Sequence, residues 1–191
     1  RSVNGPQFTA VDGGKSNRCF NVQHTNAVVD GFTIRHGYTG GNGGGIYIAS
    51  GGLVRNCSIV SNLCGGGWST GGGAAIETGG RMESCVISDN VGRRGGGVSV
   101  GRGALLVDSV VRGNIATGEW GGGVLVNQGG RIDNCDILEN RAPRGQGARG
   151  GGVALVNGGY VNRSTIRKNM ASSGGSGVYA AGLTPCVVSQ C

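Results

Sequence analysis

Proline is scarce in this chain, at three in 191 residues, and glycine does not recur at every third position, so a collagen-type triple helix is excluded. No apolar run approaches the roughly 20 residues of a membrane-spanning helix, and no succession of charged, apolar and small residues marks a signal peptide. Lysine is nearly missing: the formal charge of +7 comes from fifteen Arg beside two Lys. Nucleic-acid binding calls for such charge on one face with aromatics between. Here Arg35, Arg55, Arg81, Arg112, Arg131 and Arg163 are scattered, and aromatics make up 5% of the chain. These arginines read as a solvated surface, and neither a nucleic-acid partner nor membrane insertion is expected.

What is abundant is glycine, at 44 residues. Without order this would mean a disordered chain, because Gly buries no side chain and loses the most backbone entropy on folding. The order is a repeat of 24 to 29 residues: a Gly-Gly-Gly-apolar start and an aliphatic-x-x-Asn finish, the latter at Ile59–Asn62, Ile87–Asn90, Val111–Asn114, Ile137–Asn140 and Ile166–Asn169. A fixed period of this length marks a solenoid, in which each unit buries its apolar side against its neighbours.

Aligned on the finish, three inward columns emerge. One runs Val11, Ile34, Ile59, Ile87, Val111, Ile137, Ile166 and Val188. Two residues earlier stand Phe32, Cys57, Cys85, Ser109, Cys135, Ser164 and Cys186. Five residues before the aliphatic come Val29, Val54, Met82, Leu106, Ile132, Val161 and Leu183. The glycine block adds a further strand with inward pairs such as Ile46 and Ile48, or Val98 and Val100. Period-two alternation in short segments separated by glycine corners predicts three strands per turn and a parallel β-helix of about seven turns. At about 4.8 Å per turn the rod is about 34 Å long. The Asn column is expected at a corner, where Asn tolerates left-handed angles and its amide can bond to the next amide above. Cys191 is placed at that offset in the last turn.

Length varies between the Asn and the next glycine block, and in solenoids such an edge often binds. It displays Tyr38, Trp68, Arg93, Arg94, Glu119, Trp120, Arg141, Arg144 and Arg149, with Arg and Trp the residue types favoured at recognition hot spots. The Trp residues covering glycine corners is the alternative reading. The outward face of the glycine-block strand, including Tyr47, Leu125 and Tyr179, is nearly uncharged and a candidate docking face. Seven cysteines in a chain this short raise the question of a disulfide framework. Cys57, Cys85, Cys135 and Cys186 instead form one inward column with serines and are expected to be free thiols, leaving Cys64 and Cys191 as candidate inter-chain thiols. His24 and His36 are isolated and no C-x-x-C pair exists, so no metal or other cofactor is expected.

Hydrolysis of glycosides needs two carboxylates across the scissile bond, and the ten acids build no paired column on adjacent turns. Arg141-Ala142-Pro143-Arg144 matches a pectate-lyase motif only in part, and the glycine blocks lack the Gly-Lys-Ser/Thr ending of a phosphate loop. An ice-binding face would need a Thr ladder that the column Thr33, Ser58, Val86, Val110, Asp136, Thr165, Val187 does not supply.

The two motifs together resemble the polymorphic outer membrane protein repeats of bacterial surface proteins, in which Gly-Gly-Ala/Gly-aliphatic alternates with Phe-x-x-Asn. Gly43–Ile46, Gly71–Ala74, Gly95–Val98, Gly121–Val124 and Gly150–Val153 carry the first motif; the second has Ile or Val in place of Phe. Ser2–Pro6, Val11–Gly14 and Gly31–Ile34 are similar to a first turn in large secreted proteins of this kind. The resemblance implies a right-handed, pectin-lyase-like β-helix, secretion and a surface role, and it transfers no catalytic residue. With its start at Arg1 and both ends uncapped, the chain is expected to be a single domain, 1–191, of a longer secreted protein. Its expected role is that of a non-enzymatic structural or adhesive module at the cell surface, with self-association through the open ends. The alternative is a carbohydrate-binding or polysaccharide-degrading domain.

Overall fold

The computed structural model describes residues 1–143 and 147–191. It is all-β, with four parallel sheets stacked as a solenoid of about seven turns. One turn illustrates the path: Leu105–Val107 in sheet 1, Val110–Arg112 in sheet 2, Ile115–Ala116 in sheet 3 and Val124–Asn127 in sheet 4, before Gly130–Asp133 re-enters sheet 1. Sheets 1, 2 and 4 hold seven strands and sheet 3 holds six. Sheet 3 departs from the expected three strands per turn. Its strands are two residues long, too short to show any alternation in sequence.

The register confirms the inward columns through the sixth turn. Ile34, Ile59, Ile87, Val111, Ile137 and Ile166 stack in sheet 2. Val29, Val54, Met82, Leu106, Ile132 and Val161 stack in sheet 1. Together with the glycine-block pairs they form one continuous hydrophobic core. Each side chain lies on its counterpart in the next turn, so the hydrophobic burial of a turn depends on its two neighbours.

The last turn is placed differently from the sequence alignment. Val188 pairs with Val161, and so belongs to sheet 1 and not to the sheet 2 column. Cys186 pairs with Gly159, outside the Cys/Ser column, and Leu183 is fully exposed in the corner. From Val153 to Val161 is eight residues; from Val178 to Val188 is ten. The final corner is thus two residues longer than its predecessor. Both inward columns are aliphatic and five residues apart, so hydrophobicity alone cannot tell which of them Val188 joins.

This shift moves Cys191 from the Asn position to the Cys/Ser position. Its thiol faces the Ser189 carbonyl oxygen at 3.1 Å, as Cys57 faces that of Arg55 and Cys85 that of Glu83, each at 3.1 Å. The column has a hydrogen-bonding duty. The Cys85 and Cys135 amides donate to Ser109 Oγ and Ser164 Oγ, both at 3.1 Å, and the Phe32 amide reaches Cys57 Sγ at 3.5 Å. A small side chain with a heteroatom satisfies a buried corner N–H, which explains why both Cys and Ser serve there.

The Asn column forms the second ladder. Asn90 Nδ2 and the Asn90 amide both donate to Asn114 Oδ1 at 3.0 Å, and Asn114 Nδ2 donates to the Ile87 carbonyl at 3.0 Å. The pattern repeats from Asn62 to Asn169. The left-handed residue is not the Asn itself but the one before it: Ser61, Asp89, Gly113, Glu139 and Lys168 have φ between 55° and 64°. The triple glycines fit against this ladder. The first is left-handed, as in Gly95 with φ 60°. The third leaves room for the amide: a Cβ on Gly97 would lie 2.9 Å from Asn114 Nδ2. The two sequence motifs are therefore the two halves of one packed corner.

Candidate functional site

The variable edge leads from sheet 3 over the outer face of sheet 4, and the residue before each glycine triplet aligns from turn to turn. Thr70 bridges to Arg94, and Trp120 bridges to Arg149. This alignment places Arg94 between two indoles, with its guanidinium carbon 4.3 Å from the Trp68 ring centroid and 4.7 Å from that of Trp120. Arg94 Nη2 donates to Glu119 Oε2 at 2.7 Å, and its side chain is 11% exposed. Its Nε is buried with no hydrogen-bond partner among the described residues. A guanidinium over two rings gains about 0.5–1 kcal/mol from an exposed ring such as Trp68 and about 2 kcal/mol from a desolvated one, the case nearer Trp120, which offsets the unmade bond.

The two tryptophans have separate roles. Trp120 packs on Leu125, Ala154 and Val156 and is half-buried. Trp68 is 76% exposed. Its loop is nevertheless anchored on both sides: Cys64 and Ser69 are buried, and Ser69 Oγ donates to the Gly66 carbonyl at 2.8 Å. An indole held on one face by Arg94 and open elsewhere has already lost the freedom that a ligand would otherwise have to remove.

The remaining sequence candidates separate into three groups. Arg149 lies over Tyr179 at 5.1 Å and donates to its hydroxyl at 2.8 Å; Arg18, not singled out by sequence, lies over Tyr47 at 5.1 Å. Arg93 and Arg141 are exposed with no ion pair among the described residues, and Tyr38 is exposed on sheet 3. Arg144 lies outside the described residues. The uncharged face read as a docking surface is largely covered by the chain's own side chains: Leu125 is 4% exposed and Ala75 and Ala154 are fully buried.

Most of the acids with a resolved contact are committed to basic or amide partners. Asp133 accepts from Arg163 and Asn162, and the Arg163 bond holds its carboxyl below the usual range. Asp30 accepts from Asn56 and Arg55, with the Asn56 bond the main cause of its lowered pKa. Asp12, lowered chiefly by the Gly14 amide, also holds Arg35 and His36. The Asp12 and Asp133 pairs are open to water and tie one turn to the next at modest energy, whereas the Asp30 carboxylate is buried.

The thiols differ sharply in accessibility. Cys64, expected to face another chain, is buried, and burial pushes its pKa up. Burial likewise raises Cys135 to about 12. The neighbouring Cys85 thiol lowers the pKa of Cys57, but Cys57 is buried, and an enclosed thiol cannot meet a reagent. An aromatic disulfide reagent added to the native protein is therefore expected to label Cys191 first. Cys57, Cys64, Cys85 and Cys135 are expected to react only on unfolding, as peptide mapping of the labelled thiols would show.

One concavity went unnoticed in sequence. The corner between sheets 4 and 1 opens into a pocket of about 400 Å³ bordered by Arg102, Gln128, Asn157, Tyr160, Thr184 and Pro185. The signal was present: Arg102, Gln128 and Asn157 fall at one offset in successive turns. With no inward alternation to mark them, these corner residues read as solvent-exposed turn. No protein-family model, curated protein or solved structure matches the chain.

Proposed function

We propose that the chain is a non-catalytic structural or adhesive module of a right-handed β-helix surface protein, acting outside the cell. Its repeats are of the polymorphic outer membrane protein kind, and it holds its partner at the Trp68–Arg94–Trp120 edge. The observation that carries the reading is Trp68, 76% exposed on an anchored loop and stacked on a nearly buried arginine. A tryptophan whose purpose was to cover a glycine corner would bury most of its ring, as Trp120 does more fully.

The test separates binding from folding. Trp68→Ala is expected to weaken attachment to an immobilised glycan and cell-surface panel about tenfold or more, the scale of an aromatic anchor. Its melting temperature should fall by no more than a few degrees, because the side chain is mostly in water and its contact with Arg94 contributes about 0.5–1 kcal/mol. Attachment unchanged by Trp68→Ala would refute the assignment of this edge.

A further inference from the structure

The pocket between sheets 4 and 1 is remote from the Trp68 edge in its residues and different in its chemistry. Gln128 and Asn157 occupy the same corner position in consecutive turns, left-handed at φ 54° and 58°, and Arg102 precedes them by one turn. None of these three side chains, nor the Thr184 hydroxyl, makes a hydrogen bond to another described residue. Four uncommitted polar groups thus border one hollow, beside the ring of Tyr160, which Arg131 covers at 5.2 Å and which is otherwise 42% exposed.

One wall comes from the unusual final corner. The two additional residues before Val188 give the chain room for Thr184 and Pro185, and this segment packs directly on the preceding corner. The Gly159 amide donates to the Pro185 carbonyl at 3.3 Å, and a Cβ on Gly158 would lie 2.8 Å from Thr184 Oγ1. A lengthened corner in an otherwise regular solenoid is where binding walls are commonly built.

The donor set selects among ligands. Two amides and a hydroxyl both donate and accept, and Arg102 adds a fork of donors. An anion has no use for the amide oxygens. A peptide strand needs a free backbone edge, yet the Gly129 and Gly159 amides already donate to the Gly158 and Pro185 carbonyls. A pyranose fits both halves of the surface, with hydroxyls that donate and accept and a C–H face for an aromatic ring. The volume falls within the range of small-molecule sites, roughly 300–1,000 Å³.

We infer that this corner is a saccharide site that takes one pyranose unit of a glycan, independently of the Trp68 edge. The probes are the methyl pyranosides of glucose, galactose, mannose and N-acetylglucosamine, examined one at a time with the whole chain by saturation-transfer NMR. At least one should receive saturation, with a dissociation constant on the order of 1 mM for so small a ligand. The double variant Gln128→Gly, Asn157→Gly keeps left-handed backbone at both positions and should weaken binding tenfold or more. Arg102→Gln, at an exposed position, supplies a second variant if the double one does not fold, and should weaken binding several-fold. Trp68→Ala should leave the signal intact. Transfer from none of the four sugars overturns the proposal. So does transfer that survives both pocket variants, or that is lost in Trp68→Ala. Failure of Trp68→Ala to affect surface attachment would bear on the edge alone.

Discussion

Replacing Asn114 with Leu is expected to cost about 3–6 kcal/mol, enough to leave the middle turns unfolded in a protein of ordinary stability. The side chain lies at the centre of the amide ladder, fully buried. Its removal takes a partner from three buried groups: the Asn90 amide N–H and one hydrogen of Asn90 Nδ2, which both bond to Asn114 Oδ1 while the other Nδ2 hydrogen stays on the Ile59 carbonyl, and the Ile87 carbonyl, which accepts from Asn114 Nδ2. Each stranded group costs about 1–3 kcal/mol. Leu keeps the branched four-atom skeleton of Asn, but its methyl groups are bulkier than the amide oxygen and nitrogen, and crowding against Gly97 adds to the lost bonds. Asn169→Leu strands the same kinds of group on Asn140, but Asn169 is only half-buried and water can reach them, so its cost should be smaller. Urea unfolding followed by far-ultraviolet circular dichroism would show the difference as a much lower midpoint for Asn114→Leu. Equal midpoints for the two variants would mean that the ladder is not what holds the turns together.

Gly96→Ala should be nearly as severe, at about 3 kcal/mol or more, although it adds a single methyl group. A Cβ there would overlap the Gly122 carbonyl oxygen and the carbonyl group of Ile115. Both obstacles are backbone of the next turn, and that backbone is itself bonded into the ladder: the Ile115 amide donates to Asn90 and the Gly122 amide to Gly150. Relief would require displacing a whole turn. Gly103→Asn is the contrasting case. Gly103 is left-handed, with φ 64°, and no atom lies within 4 Å of an added Cβ. Asn tolerates that conformation, so the cost should remain below about 1 kcal/mol. Thermal melts of the two variants provide the comparison, and similar losses would remove the distinction between crowded and merely turning glycines.

These two substitutions also mark how far the sequence could be read. The glycine triplet announces a corner, but its letters are identical while its duties differ: Gly95 turns the chain, Gly96 admits the next backbone, and Gly97 admits the Asn114 amide. The partner that distinguishes them is 17 or more residues away in the chain. The misplacement of Val188 has a related cause, since two inward aliphatic columns five residues apart look alike until strand pairing selects one. Sheet 3 stayed hidden because two residues have no period.

The candidate edge was legible as a list of residue types and not as an arrangement. Trp68, Arg94 and Trp120 stood out as Trp and Arg in variable segments, yet only stacking of three consecutive turns places the guanidinium between the rings. Arg102, Gln128 and Asn157 were harder still. Their shared offset was visible, but exposed polar residues at glycine corners read as solvated turn until the longer final corner folds against them.

The sequence by itself determined the class of fold, the solenoid period and most of the inward columns, because burial against identical neighbours imposes the same residue types at the same offsets in every turn. Tertiary structure alone decided which glycine admits which neighbour, which column closes the last turn, and which exposed side chains converge on one surface. These depend on contacts at a distance of a few ångströms between residues a full turn or more apart, and a pattern of hydrophobicity along the chain does not encode them.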